Sequence, residues 1–341
     1  MNIINSEIDF RHLNSSSNLA DFGAMAINMF HHQYAHNETY KLYCDAIKVD
    51  KDNIHQIYDI PFLPIQFFKS RTIVTGAFEP QITFESSGTT GSITSKHAIK
   101  DLSLYEESFM NAFRQFYGEA TNYCILGLLP SYLERKNASL VYMVEHLIQK
   151  SNHTKSGFYL NEFDLLKQTL EQNETIGQKT ILIGVTYALL DFAQSYPMKL
   201  NHTIIMETGG MKGRRDEIEK LTLHKMLAQQ LGIHEVHSEY GMTELLSQAY
   251  SKGNGLFKSP PWMKILLRAT DNPLETYNPT QKNNNSYSGV VNIIDLANIH
   301  SCCFIATDDL GRMHPNGDFE ITGRMENSDI RGCGLMYEGT V

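Results

Sequence analysis

The sequence predicts an α/β fold in which a largely parallel sheet is followed by a smaller β subdomain. From about residue 80 onward, apolar runs that suit buried strands alternate with helical patterns. Near residue 285 this alternation stops. Beyond that point, short strand-like segments are separated by turns of Asp, Gly, Asn and Pro, which is typical of a small β subdomain.

Residues 1–80 are predicted to form a mostly helical segment. Apolar side chains recur at helical spacing between residues 22 and 34. The segment 60–64 contains two prolines, and each restricts the residue before it to extended conformations. We therefore expect this segment to lead into the main sheet.

Residues 81–285 are predicted to be the α/β core, and residues 286–341 the small β subdomain with a C-terminal tail. In the core, strands are expected at 81–84, 123–129, 180–184, 203–206 and 233–237. Helices are expected at 103–115, 139–149, 187–195 and 216–230, with Gly232 placed to end the last one. In the subdomain, strands are expected at 289–295, 302–307 and 319–322.

Composition excludes several classes of protein. The 341 residues carry a net charge of −9 and no basic cluster, so a nucleic-acid partner is not expected. No apolar run is long enough for a membrane span, and the polar start does not match a secretory signal. Five cysteines without CxxC spacing argue against a disulfide framework or a zinc site. We expect a cytoplasmic protein.

The segment 85–96 is the strongest candidate for a binding loop. It contains two glycines, Gly88 and Gly91, seven hydroxyl side chains, and a lysine at its end, Lys96. Backbone amides, hydroxyls and a cation can together surround a polyphosphate. The segment lacks the Gly-Lys-Ser/Thr ending of the common nucleotide-triphosphatase loop. On its own it is also compatible with a solvated turn.

Two further glycine-containing segments follow expected strands. The pair Gly209-Gly210 allows close approach by a flat ring, and basic residues come directly after it. The segment 240–244 reads Tyr-Gly-Met-Thr-Glu. There a tyrosine can stack on a base, a threonine hydroxyl can donate to a phosphate, and a glutamate can hold Mg²⁺. Plain turns account for each segment equally well when it is taken alone.

Two later features complete the set of candidates. Asp309 and Arg324 fall on adjoining β elements, where a carboxylate could accept ribose hydroxyls and an arginine could reach ribose or phosphate. A surface ion pair is the alternative. Cys333 lies between two glycines and near Arg331, which favours its thiolate form. The alternative is an unreactive thiol in the tail.

In this order the segments resemble the adenylate-forming enzymes over about residues 80–332. Within that superfamily the sequence is most similar to the LuxE-type acyl-protein synthetases, the fatty-acid ligases of bacterial luminescence and their relatives. The segments 128–135, 209–215 and 331–333 carry this closer similarity. The chain ends at Val341, so we expect it to lack the mobile C-terminal domain of the wider superfamily.

The resemblance implies a role for each candidate residue. The ATP phosphates would be held by Ser87, Gly88, Thr89, Thr90 and Gly91, with Lys96 near them. The nucleoside would be held by Gly209, Gly210, Tyr240, Gly241, Asp309 and Arg324. Thr243 would meet the α-phosphate, Glu244 would bind Mg²⁺, and Cys333 would accept the acyl group. Which cation replaces the lysine of the missing domain stays open among Lys96, Lys212, Arg214 and a partner.

The implied function is the ATP-dependent activation of a carboxylic acid as an acyl-adenylate. The resemblance favours a fatty acid as this substrate. The acyl group would then pass to a protein thiol or to a partner such as a reductase or carrier protein. One alternative is an acyl- or aryl-CoA ligase similar to phenylacetate-CoA ligase. A second alternative is a non-catalytic nucleotide-binding subunit of a reductase complex.

Overall fold

The structure, a computed structural model of the 341-residue chain, consists of a large mixed sheet, a separate hairpin, and helices packed against them. It describes residues 9–13, 19–86, 93–129, 137–160, 162–209, 220–278 and 285–325. The α/β fold predicted from the sequence is confirmed within these ranges.

The helices lie mainly in the first two thirds of the described chain. They are α1 (Leu19–His36), α2 (Glu38–Ala46), α3 (Phe67–Ser70), α4 (Leu102–Tyr117), α5 (Ser139–Ser151), α6 (Phe163–Ile176), α7 (Thr186–Ser195) and α8 (Lys220–Leu231). Helix α4 begins at a side-chain cap, because Asp101 accepts a hydrogen bond of 2.9 Å from the backbone N–H of Ser103. Helix α8 ends before Gly232, whose φ of +59° suits the turn that follows, as predicted.

The strands divide into an early hairpin and a sheet that continues to the end of the described chain. They are β1 (Leu63–Pro64), β2 (Ile82–Glu85), β3 (Lys96–Ile99), β4 (Cys124–Leu128), β5 (Gly157–Phe158), β6 (Thr180–Gly184), β7 (Thr203–Glu207), β8 (His237–Tyr240), β9 (Ala249–Ser251), β10 (Leu256–Lys258), β11 (Met263–Arg268), β12 (Tyr287–Asp295), β13 (Phe304–Met313) and β14 (Phe319–Arg324). Strands β2 and β3 form the hairpin.

One half of the large sheet is parallel and the other half is antiparallel. Strands β5, β4, β6, β7 and β8 lie side by side and run in parallel. Every residue of β4 and β6 is buried, as expected for strands covered on both faces. The sheet continues through β9, β10, β14, β13, β12 and β11 in antiparallel pairs. The predicted β subdomain is thus hydrogen-bonded to the parallel half through β10 and β14.

Three predictions about the elements need correction. The strand predicted at 233–237 instead spans His237–Tyr240, and only its first two residues pair with β7. Its buried residues are Ser238, Glu239 and Tyr240, which carry polar groups. A search for apolar runs therefore does not detect this strand. The mostly helical prediction for 1–80 holds for α1 and α2, whereas 47–66 and 71–81 are largely irregular.

The third correction concerns strands β9, β10 and β11, which the sequence pattern did not predict. Strands β9 and β10 have three residues each and owe their place to antiparallel neighbours. Strand β11 has six residues and contains the apolar run 265–267, which the sequence analysis overlooked. The extended segment predicted at 60–64 does join the sheet, because β1 pairs in parallel with β13.

Candidate functional site

The parallel strands end along one edge of the sheet, where ligands of open α/β sheets commonly bind. Strand β6 ends at Gly184, β7 at Glu207 and β8 at Tyr240. A backbone hydrogen bond of 3.0 Å from the Thr208 N–H to the carbonyl oxygen of Gly184 joins two of these ends. The segments that begin at Thr208 and at Tyr240 therefore share this edge, as predicted from the chain order.

A cavity opens at this edge and brings together residues that are distant in the sequence. Five residues predicted for the site line it, namely Tyr240, Gly241, Thr243, Glu244 and Asp309. The rest of the described lining includes the end of β2, a tyrosine of α4 and the beginning of α5. The sequence gives the order of these residues along the chain, but it does not show that they surround one cavity.

Asp309 joins Tyr240 and Arg324 in a buried cluster beside the cavity. The Tyr240 hydroxyl donates to Oδ2 of Asp309 at 2.8 Å, and Nε of Arg324 donates to Oδ1 at 3.1 Å. Asp309 and Arg324 are direct partners in the pairing of β13 with β14. A carboxylate has about four acceptor positions, so Asp309 keeps capacity for donors on a bound ligand.

The ring of Tyr240 is fixed in place by two aromatic neighbours. Its centroid lies 5.9 Å from that of Phe257 and 5.9 Å from that of Phe319, both in tilted or edge-on arrangements. Only 5% of the tyrosine is exposed. The packing orders the ring before any ligand arrives, which lowers the entropy that binding would cost.

Glu207 organises the turn that holds Gly209. The Gly209 N–H donates to Oε2 of Glu207 at 2.7 Å, and Nζ of Lys220 lies 2.8 Å from Oε1. His224 Nε2 is 3.5 Å from the same oxygen. Burial favours the neutral acid, but Lys220 and His224 together hold the pKa of Glu207 well below its usual range. The φ of Gly209 is +74°, a conformation that favours glycine.

The turn containing Thr243 and Glu244 is fixed by side chains that bind its backbone carbonyl oxygens. Nδ1 of His97 lies 2.8 Å from the carbonyl oxygen of Thr243, and Nδ2 of Asn298 donates to the carbonyl oxygen of Glu244 at 2.8 Å. Burial lowers the pKa of His97 to about 4, so its ring is neutral. Because a carbonyl oxygen only accepts, Nδ1 of His97 carries the proton. Both residues of the turn line the cavity.

Lys96 lies in β3, directly opposite Glu85 in the hairpin, and its side chain is exposed. It lines a separate groove beside Phe68 and Arg71, and it is absent from the described lining of the cavity. Its proposed position at the phosphates therefore stays a prediction.

Several predicted residues lie outside the described residues. They are Ser87, Gly88, Thr89, Thr90, Gly91, Gly210 and Cys333. The described residues on either side of the first five are hydrogen-bonded to each other. Ser86, which lines it, donates its N–H to the carbonyl oxygen of Ser95 at 3.0 Å and accepts from the Ser95 N–H through Oγ at 2.9 Å.

Sequence reasoning missed Glu207 and Glu239, two buried carboxyl groups at this edge. Glu239 lines the cavity and is 8% exposed. Burial, and then the nearby Glu207, raise its pKa to about 8. Their position could have indicated both residues, because each lies at or next to the carboxyl end of a parallel strand.

Two features of the described residues bear on cofactors and membranes. No group of three or more His, Cys, Asp and Glu side chains is arranged to hold a metal ion there. A single carboxylate with substrate phosphates is a common magnesium site, so Glu244 remains a suitable ligand. In the same ranges, no helix combines the length and apolarity needed to cross a bilayer.

Comparison with known proteins gives a family match over nearly the whole chain. The model of the family described as "Acyl-protein synthetase, LuxE" matches residues 10–340. The long-chain-fatty-acid–luciferin-component ligase of Vibrio harveyi is 24% identical over 330 residues, which are 90% of this chain and 84% of the relative. The ligase of the same name from Aliivibrio fischeri is 23% identical over 337 residues, covering 92% and 86%.

Two solved structures that match part of the chain come from longer proteins. The luciferase-like enzyme of the nonluminescent mealworm Zophobas morio gives a TM-score of 0.49 at 14% identity, with 74% of this chain and 60% of that chain covered. A long-chain-fatty-acid-CoA ligase from Archaeoglobus fulgidus gives 0.48 at 14% identity, covering 71% and 51%. The chain thus spans between half and two thirds of these two proteins.

Proposed function

Because the chain belongs to the LuxE family of acyl-protein synthetases, we propose that it activates a carboxylic acid with ATP and transfers the acyl group to a protein thiol. The observation that carries the proposal is the convergence of Tyr240, Thr243, Glu244 and Asp309 on one cavity at the carboxyl edge of the sheet. The names of the relatives point to a fatty acid as the acid.

The nucleoside of ATP fits the end of the cavity formed by Tyr240 and Asp309. The carboxylate of Asp309 has acceptor capacity left for two ribose hydroxyls, and Arg324 fixes its orientation. The ordered ring of Tyr240 offers a flat surface for adenine. Gly209 leaves room for close approach on the neighbouring strand end, together with the predicted contact from Gly210.

The phosphates fit the end formed by Thr243, Glu244 and the mouth of the loop at Ser86. The Thr243 hydroxyl would donate to the α-phosphate. Glu244 would hold Mg²⁺, which supplies charge neutralisation at the phosphates when bound. The segment 87–91 would wrap the outer phosphates, and Lys96 would add a cation.

The proposed reaction has two steps. A carboxylate oxygen of the acid attacks the α-phosphorus of ATP, the bond to the bridging oxygen breaks, and pyrophosphate leaves. A thiolate then attacks the acyl carbon, the bond between that carbon and the AMP oxygen breaks, and AMP leaves with both electrons. The residues at the cavity act by positioning the two reactants and by stabilising charge.

Cys333 is the proposed acyl acceptor within the chain. The other four cysteines, Cys44, Cys124, Cys302 and Cys303, are buried thiols. Burial raises the pKa of each, so none of them favours the thiolate that the second step needs. From Cys333 the acyl group would pass to a partner such as a reductase or carrier protein.

Acid-dependent exchange of labelled pyrophosphate into ATP tests the first step. Thr243→Ala and Glu244→Gln should each lower the exchange rate about a hundredfold, the usual effect of losing one contact to developing charge. The exposed Glu275→Gln is the matched control. Exchange that is absent from the wild-type chain with every acid, or unchanged in both variants, would contradict the proposal.

Intact-protein mass spectrometry tests the second step. Cys333→Ser should keep the exchange reaction and lose the added acyl mass. An acylated Cys333→Ser protein would show that another group accepts the acyl chain. Formation of acyl-CoA by the purified protein would instead indicate a coenzyme A ligase.

A further inference from the structure

Glu239 places a buried carboxyl group in the cavity without a partner in the described part of the chain. The residue is 8% exposed and lines the cavity beside Tyr240. None of the hydrogen bonds among the described residues reaches its carboxyl oxygens. Its oxygens are not among the fully buried atoms that lack a partner, so water or a ligand in the cavity can reach them.

Two more buried polar groups lie next to Glu239. Tyr250 is its direct partner in the pairing of β8 with β9, and its hydroxyl has no hydrogen-bond partner in the described residues. Gln248 lines the cavity, and its Oε1 is likewise without a partner there. Two buried oxygen atoms without a partner among the described residues thus lie beside the carboxyl group of Glu239. A plain alkyl chain in the cavity would offer none of these groups a hydrogen bond.

Gly241 shows that the carboxyl group of Glu239 fills part of the space beside the turn. A Cβ added to Gly241 would lie 2.5 Å from Oε1 of Glu239 and 3.2 Å from Cγ of Gln248. The polar side chains therefore pack directly against the backbone of the segment 240–244. Glu239 and Gln248 line the same cavity as Thr243 and Glu244, where the proposed function places the acid.

We propose that Glu239, with Gln248, selects an acid whose chain carries a hydrogen-bond donor, either a hydroxyl or an amino group, over the plain alkyl acid of equal length. This inference rests on the proposed function and narrows its substrate class. A hydroxyl or amino group would donate to the oxygens of Glu239 and Gln248. An alkyl chain would bury the same oxygens without replacing the hydrogen bonds they make to water.

The protonation of Glu239 is compatible with this role. Because burial and Glu207 raise its pKa to about 8, the group is mostly neutral at pH 7. A neutral carboxyl group accepts through its carbonyl oxygen and can also donate to a hydroxyl oxygen. Gln248 offers an amide oxygen of similar chemistry.

The test is pyrophosphate exchange with matched acids. Octanoic and dodecanoic acids would be compared with their 3-hydroxy, mid-chain hydroxy, ω-hydroxy and ω-amino forms. The wild-type chain should use at least one donor-bearing acid about a hundredfold better, in kcat/KM, than the plain acid of equal length. Sites built to bond a substrate hydroxyl discriminate at least this strongly.

Two variants assign the preference to Glu239. Glu239→Leu should abolish it by lowering the rate with the donor-bearing acid and raising the rate with the plain one. Glu239→Gln, which keeps an acceptor oxygen, should retain the preference for the hydroxy acid. Glu235→Gln, at an exposed position before the same strand, should behave as wild type.

The outcomes distinguish this inference from the proposed function on which it rests. Exchange with no acid at all would overturn the proposed function. Exchange that is fastest with plain alkyl acids in the wild-type chain would overturn the inference alone. A donor preference that survives Glu239→Leu would overturn the assignment to Glu239.

Discussion

Replacing Glu239 by Gln should change how the stability of the protein depends on pH. In the folded chain burial, and then Glu207, raise the pKa of Glu239 to about 8 from an ordinary value of 4.5. Between these two pH values the folded state keeps a proton that the unfolded chain has lost. Stability contributed by this group is therefore complete below pH 4.5 and is lost as the pH rises through 8.

The size of the effect follows from the two pKa values. A gap of about 3.5 pH units, at about 1.4 kcal/mol per unit, corresponds to on the order of 5 kcal/mol in the free energy of unfolding. Most of this change falls between pH 5 and pH 9. Glutamine does not titrate, so Glu239→Gln should be progressively more stable relative to wild type as the pH rises across this range.

Urea unfolding at pH 5 and pH 9 measures the effect, with fluorescence of the buried Trp262 as the signal. The quantity to compare is the difference in unfolding free energy between variant and wild type. Titrating groups that do not interact with Glu239 cancel in this difference. They include His97, His237 and His300, whose pKa values burial lowers to about 4 and which are therefore stabilising once the pH exceeds 6.5.

A difference that is the same at both pH values would refute the reasoning, because it would mean that Glu239 titrates normally in the folded protein. Glu235→Gln, at an exposed site, provides the control and should show no such dependence. A pH-dependent difference in the control as well would assign the effect to net charge rather than to burial.

Two further predictions concern the same cavity. Asp309→Asn should cost about 3 kcal/mol in unfolding free energy and weaken ATP binding, because it leaves the buried Arg324 without its carboxylate; unchanged stability in urea would contradict the ion pair. Gly241→Ala should leave the protein folded and reduce the preference for donor-bearing acids, because Oε1 of Glu239, 2.5 Å from the new Cβ, must move aside; an unchanged preference would mean that the displaced carboxyl group still reaches the acid.

The fold could be predicted where a strand is buried by its own composition. The segment 180–184 was predicted to the residue, because five buried positions in succession leave little choice of structure. Strands β9 and β10, with three residues each, could not be predicted in this way. Their place in the sheet depends on pairing with neighbouring strands, and local sequence does not carry that information.

The candidate site could likewise be predicted only in part. Tyr240, Asp309 and Arg324 were predicted as parts of one nucleotide site, and the structure joins them through two hydrogen bonds. Glu239 was missed because a glutamate in a strand is ordinarily read as a solvent-facing residue. Its burial depends on residues of other elements, such as its partner Tyr250 in β9, whose positions the sequence does not give.

The most direct measurement of the central claim is oxygen transfer from the acid to AMP. An acid labelled with oxygen-18 in both carboxyl positions would be incubated with the protein, ATP and a thiol acceptor, and the AMP analysed by mass spectrometry. Attack of the acid on the α-phosphorus predicts one oxygen-18 atom in the phosphate of each AMP formed. Unlabelled AMP, or ADP with labelled inorganic phosphate, would contradict an acyl-adenylate intermediate.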